Sequence, residues 1–97
     1  MAYKLEFQPS FQKTYIKLIK KNPALDERIR KALQLLQENP RYPSLKSHKV
    51  ETRRYGIRWS SSVTGDIRII WDFDEHQNLS ILILDVGGHS GKHKVYK

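Results

Sequence analysis

The chain has no cysteine, which excludes both a disulfide framework and a thiolate metal site. Such a chain suits a reducing cytosol, with its fold held by packing alone. Long apolar runs are missing as well. The longest, Ile81-Leu82-Ile83-Leu84, has the length of a strand and falls far short of the roughly 20 residues a membrane-spanning helix needs. The first ten residues, MAYKLEFQPS, offer no apolar stretch of the signal-peptide kind. A soluble, cytoplasmic protein without membrane contact is expected. Four prolines and five glycines are too few for a low-complexity or linker-rich chain, and no internal repeat is visible. At 97 residues the length fits a single domain, 1–97.

Acidic residues are also in short supply. Eighteen Lys and Arg face ten Asp and Glu, for a formal net charge of +8. A small domain this basic attracts polyanions whatever its fold. The excess is uneven: Arg41, Lys46, Lys49, Arg53, Arg54 and Arg58 surround the lone acid Glu51, and Lys92, Lys94 and Lys97 follow with no acid among them. Nucleic acid is the favoured partner. A basic face serving only solubility, or one that binds an acidic protein, is the alternative.

Tyr3 to Phe7 alternates apolar and polar residues, the period of a half-buried strand. Pro9 and Ser10 offer a helix start, by first-turn proline or serine cap. Phe11, Tyr15, Leu18 and Ile19 then form one helical stripe. Asn22-Pro23 opens a second helix whose stripe is Leu25, Ile29, Ala32, Leu33 and Leu36. Asn39-Pro40 ends it, because proline disfavours helical geometry in the residue before it. The short join predicts an antiparallel helical hairpin. Beyond it, Leu45–Val50 reads as an edge strand and Tyr55–Trp59 alternates. Ser60–Gly65 is turn-rich, Ile67, Ile69, Trp71 and Phe73 alternate with Asp66, Arg68, Ile70 and Asp72, and Leu79–Val86 reads as a central strand after the turn at Asp74–Asn78. The sum is an α+β fold, βααβββ, with the helical hairpin on one face of a small antiparallel sheet and the other face open to RNA.

These residues resemble the RelE/ParE toxin superfamily over nearly the whole chain. The similarity is carried by Leu45-Lys46, Tyr55-Gly56-Ile57-Arg58, Asp66-Ile67-Arg68-Ile69-Ile70-Trp71, Asp85-Val86-Gly87-Gly88-His89 and Val95-Tyr96. Gly-x-His after an apolar strand is similar to the YafQ-like branch, and the Val-Tyr ending to RelE. The resemblance implies the toxin of a toxin–antitoxin pair, a metal-independent, cofactor-free endoribonuclease that cleaves mRNA on the ribosome. In that reaction the ribose 2′-hydroxyl attacks the adjacent phosphate. Such chemistry needs a proton acceptor, a proton donor and positive charge for the phosphorane. The implied partners are a cognate antitoxin held in a heteromeric complex, the ribosome and mRNA. The rival readings are ParE-type inhibition of DNA gyrase without nuclease chemistry, and a non-enzymatic nucleic-acid-binding module.

The proposed catalytic set is His89, Arg68, Tyr96, Arg58, His48 and Asp66. His89 follows the central strand in a Gly-Gly-His turn, and an imidazole exchanges protons near neutrality. Arg68 is out of phase with Ile67, Ile69 and Trp71, so it faces the open side, where its planar fork suits two phosphate oxygens. An ion pair with Asp66 or Asp72 is the structural alternative. Arg58 shares its alternation with Gly56. RelE carries lysines at both positions, so one of those charges is absent here. The resemblance assigns Tyr96 to stacking or proton transfer, and His48 and Asp66 to YafQ-like positions. A further YafQ-like histidine is Ser62 here. Lys46, Lys49, Arg53, Arg54, Lys92, His93 and Lys94 are the expected RNA-binding residues, and Lys46, Lys49, Arg53 or Arg54 could replace the missing charge. His48, His89 and His93 lack the converging acid or cysteine pattern of a metal site.

Overall fold

The structure is a computed structural model describing residues 2–88 and Val95. Strand β1 (Lys4–Phe7) leads into helices α1 (Pro9–Lys21) and α2 (Ala24–Glu38). A short 3-10 turn, Pro43–Leu45, precedes β2 (His48–Thr52), β3 (Gly56–Ser62), β4 (Arg68–Phe73) and β5 (Ser80–Gly87). The sheet runs β1-β5-β4-β3-β2.

Proline starts α1 because its fixed φ is already helical and its missing N–H is not needed there. Ser10 is thereby released from capping, and its hydroxyl donates to the Leu84 carbonyl at 2.6 Å, tying the helix start to β5. The expected stripes are the buried faces. Phe11 and Leu18 of α1 meet Ile29, Ala32 and Leu36 of α2 over Ile69, Trp71, Ile81, Ile83 and Val86 of the sheet. Tyr15, Leu25 and Leu33 pack at the margin of this core. The two helices are also clasped at their surface. The Tyr15 hydroxyl donates to the Asp26 carboxylate, which accepts Arg30 Nε at 3.0 Å as well. The phenol's hydrogen bond holds the Asp26 carboxyl below its ordinary range, and burial, then the same bond, pushes the Tyr15 phenol up.

Four details depart from the sequence reading. The sheet has five strands and is mixed: β1 lies parallel to β5, with Leu5 beside Ile81 and Phe7 beside Ile83, while every other pairing is antiparallel. Leu45 belongs to the 3-10 turn that Pro43 starts, and the edge strand begins only at His48. Ser60–Ser62 continues β3 and is not a turn. Ser60 and Ser61 are fully buried, and Ser61 satisfies its oxygen by accepting the Trp71 indole N–H at 2.7 Å. Finally, the face opposite the helices is not open at its centre, because Ile70 and Ser60 there have no exposure. The Arg53 N–H donates to the Val95 carbonyl and the Val95 N–H to the Gly88 carbonyl, so the β2–β3 hairpin tip is drawn back toward the end of β5.

A bulge in β5 sharpens that end. Ile70 pairs with Asp85 but Trp71 with Ile83, leaving Leu84 as the extra residue. A bulge bends its strand and re-aims the side chains beyond it. The core-facing series changes from Ile81 and Ile83 to Val86, and the buried Asp85 carboxylate accepts the Thr14 hydroxyl of α1 at 2.7 Å.

Candidate active site and basic groove

Directly opposed residues of neighbouring strands share a face of the sheet. Trp59 opposes Trp71 and Lys49 opposes Trp59, so all three lie on the helix side. Arg68 opposes Ser62 on β3 and Gly87 on β5; Ser60 opposes both Ile70 and His48. Arg68 and His48 therefore share the other face, two residues apart in level along β3.

Arg68 is the first residue of β4, half-buried, and flanked laterally by the small Ser62 and Gly87. Asp66 stands two residues before it, in the loop. Its carboxylate lies against Gly88 so closely that a β-carbon there would sit 2.7 Å from Oδ2. Any larger residue at 88 would make the Asp66 carboxylate move. The Thr64 hydroxyl shapes this loop by accepting the N–H groups of Asp66 and Ile67 at 3.2 and 2.9 Å. Arg68 and Asp66 are brought together with Gly87-Gly88, the pair that precedes His89 in the sequence.

His48 is exposed at the start of β2, and its Nδ1 lies 2.9 Å from the Lys46 carbonyl. A carbonyl only accepts, so Nδ1 carries the proton and Nε2 of the neutral ring is left as an acceptor. Lys46 adopts a left-handed conformation with φ 48°.

Arg58 is used differently. Its Nη1 is 2.9 Å from Asp72 Oδ2, and its Nε donates to the Tyr55 carbonyl at 2.9 Å. It lies four residues from Ser62 on β3, the residue opposite Arg68, and its guanidinium braces the hairpin. Asp72 thus pairs with Arg58, where the sequence reading offered it to Arg68. Gly56 has φ +73° with nothing within 4 Å of a β-carbon, so its glycine is a matter of backbone conformation. A lysine in its place, as in RelE, would strain the loop.

The RNA-binding set divides as well. Lys49 extends over the Trp59 ring at 5.7 Å, on the helix side and away from His48 and Arg68. Lys46 is exposed near His48. Arg53 and Arg54, on the returning hairpin tip, line an open groove of ≈ 1280 Å³ with Asp85, Val86 and Val95. Of the four cations considered as substitutes for the missing charge, these two are turned toward the end of β5. His89, Lys92, His93, Lys94 and Tyr96 lie outside the described residues.

The opposite wall of that groove is a feature the sequence reading passed over. Lys13, Lys17, Lys20 and Lys21 of α1 line it beside the exposed Ile16. Their spacing of i, i+4, i+7 and i+8 is that of one helical face, the same signal that revealed the apolar stripe.

No family model matches the sequence, and no curated protein matches it. Solved structures do. The YoeB/ParE toxin from Agrobacterium tumefaciens is similar with a TM-score of 0.70 at 16% identity, over 90% of this chain and 99% of that one. YafQ in the E. coli DinJ–YafQ toxin–antitoxin complex gives 0.68 at 18%, over 92% and 94%. The RelBE2 toxin–antitoxin complex from Mycobacterium tuberculosis gives 0.53 at 19%, over 91% and 99%. The chain has the fold of these toxins, as its motifs suggested.

Proposed function

We propose that this chain is the toxin of a toxin–antitoxin pair, a cytoplasmic endoribonuclease that cleaves mRNA on the ribosome. The observation that carries the reading is the meeting of Arg68, Asp66 and Gly87-Gly88 where β4 begins and β5 ends, with His48 on the same face. A cation, an acid and an imidazole with a free acceptor nitrogen are the groups that transphosphorylation requires.

In the proposed reaction, His48 Nε2 takes the proton of a ribose 2′-hydroxyl as that oxygen bonds to the adjacent phosphorus. Arg68 stabilises the charge that accumulates on the phosphorane oxygens. The bond from phosphorus to the 5′-oxygen breaks, and His89 gives that oxygen a proton, leaving a 2′,3′-cyclic phosphate and a 5′-hydroxyl. Asp66 orients the donor side, and Tyr96 stacks on a base. Arg53, Arg54, Lys46, Lys92, His93 and Lys94 hold the RNA backbone. Arg58 braces the sheet. The ribosome supplies substrate orientation that so sparse a site lacks.

The similarity to toxins solved with antitoxins supports a protein partner. The groove between α1 and the hairpin tip has basic walls beside the exposed Ile16, which suits an acidic amphipathic segment. Primer extension on a translated message tests the nuclease reading. Discrete cuts within codons are expected, while intact message together with inhibited DNA supercoiling would replace it with the gyrase reading.

A further inference from the structure

Four polar groups run in one line from the core to the residue before His48. The Trp71 indole N–H donates to Ser61 Oγ at 2.7 Å, Ser61 and Ser47 share a hydrogen bond of 2.6 Å, and Ser47 donates to the Pro40 carbonyl at 2.7 Å. The direction of every bond follows from counting protons. An indole N–H can only donate and a carbonyl can only accept. Ser47 has one proton, used on Pro40, so the proton between the serines belongs to Ser61. The chain therefore runs one way, Trp71 to Ser61 to Ser47 to Pro40, and each link polarises the next. Trp71 and Ser61 are fully buried and Pro40 is buried, so no water replaces a lost link cheaply.

This chain grips Ser47 between the end of α2 and the middle of β3. On one side of Ser47 stands Lys46, left-handed where it caps the 3-10 turn and donates its N–H to the Pro43 carbonyl at 3.2 Å, a conformation uncommon for a residue with a β-carbon. On the other stands His48, whose Nδ1 bonds back to the Lys46 carbonyl. The position of that carbonyl depends on the Lys46 backbone, and the Lys46 backbone depends on the fixed Ser47.

We propose that Ser61 and Ser47 are positioning residues for His48: their hydroxyl chain holds Lys46 left-handed, so that its carbonyl keeps the ring proton on Nδ1 and leaves Nε2 as the acceptor. The catalytic meaning rests on the role proposed for His48 above; the tautomer itself does not. Without the grip, Lys46 relaxes to an extended conformation, its carbonyl turns away, and the ring reverts to the Nε2–H tautomer that free histidine prefers. A ring with its proton on Nε2 cannot accept there, so only the minority Nδ1–H form remains productive.

The test is ring-nitrogen NMR of the full chain at about pH 8, above the ordinary imidazole pKa of about 6.5. The His48 signals are identified by their loss in His48→Gln. Wild type should show a protonated Nδ1 and an unprotonated Nε2. Ser47→Ala should invert that pattern, and Ser47→Thr, which keeps the hydroxyl, should restore it. Lys46→Val, made at an exposed site with all hydroxyls intact, should invert it too, whereas Lys46→Gly should not; this pair answers even if Ser47→Ala fails to fold. An Nε2–H ring in wild type, or a ring unmoved in both Ser47→Ala and Lys46→Val, overturns the proposal. In the cleavage assay Ser47→Ala should lower kcat, by less than the roughly 10²–10⁴-fold cost of losing the base outright, with KM unchanged. Wild type that shows the expected tautomers but cuts no message overturns the nuclease reading and leaves the positioning role supported.

Discussion

Two stretches of the sheet each combine an arginine with glycine, and they use them in opposite ways. At the β2–β3 hairpin, Arg58 is committed to Asp72 and the Tyr55 carbonyl, and Gly56 is there for its positive φ. Where β4 begins and β5 ends, Arg68 stands between Ser62 and Gly87, and Gly88 is there for space beside Asp66. Identical residue types thus brace the frame in one place and line the proposed site in the other. Val95, bonded to both Arg53 and Gly88, links the two stretches, so the braced hairpin forms a wall beside the proposed site.

The largest expected effect separates the arginines. Arg68→Ala should lower the rate of ribosome-dependent cleavage on the order of a hundredfold or more, the usual cost of losing a donor to transition-state charge. Ribosome binding should change little, because the interaction strengthens only as the phosphorane forms. Quantified primer extension beside a sedimentation assay measures both. Equal losses of binding and rate would make Arg68 an RNA-holding residue like Arg53.

Gly88→Ala probes the same place through space rather than charge. The new methyl would meet Asp66 Oδ2 at 2.7 Å and Cγ at 3.1 Å, so the carboxylate must turn aside. Misplacement by about an ångström near reacting groups costs on the order of tenfold to a hundredfold in rate. The sharper measurement is the double variant. With Asp66→Ala already in place the contacts at 2.7 and 3.1 Å are gone, and Gly88→Ala should then cost much less. Additive effects would mean that Gly88 is needed for something other than the acid.

Much of this frame was legible in the sequence and part was not, for reasons that differ by element. The α2 stripe could be read because Ile29, Ala32 and Leu36 recur at the helical period within one segment. The parallel pairing of β1 with β5 could not, since it joins Leu5 to Ile81 across the whole chain and leaves no local trace. Ser60–Ser62 resembles a turn by composition, and only the Trp71 indole, ten residues away, turns Ser61 into a core residue. Alternation puts Arg68 on the face where it lies, and the same rule counted from the core residue Leu45 puts Lys49 on the helix side, which grouping it with the basic cluster overlooks. That Asp66 crowds Gly88 is a distance between loops, which residue types alone do not encode.

Arg58→Ala should reverse the pattern seen at Arg68. The ion pair is partly exposed, with 38% of the Arg58 side chain and 21% of the Asp72 side chain accessible, so solvent screening limits it to about 1 kcal/mol or less. The lost bond to the Tyr55 carbonyl adds a similar small amount. Thermal melts should therefore fall by several degrees while cleavage stays within a few-fold of wild type. A hundredfold loss of cleavage with an unchanged melt would restore Arg58 to the catalytic set.

The smallest effect concerns Gly56, and it isolates conformation from contact. Nothing lies within 4 Å of a β-carbon built there, so Gly56→Ala creates no clash. Its cost is the left-handed backbone alone, about 1–2 kcal/mol for a residue with a β-carbon. Asparagine enters that region more readily than alanine, so Gly56→Asn should recover part of the loss with a larger side chain in place. The order of melting temperatures is expected to be wild type, then Asn, then Ala, with cleavage scarcely altered in either variant. Were Asn as damaging as Ala, or were cleavage lost before stability, the loop would be meeting something beyond its own backbone, and the hairpin would belong to the site after all.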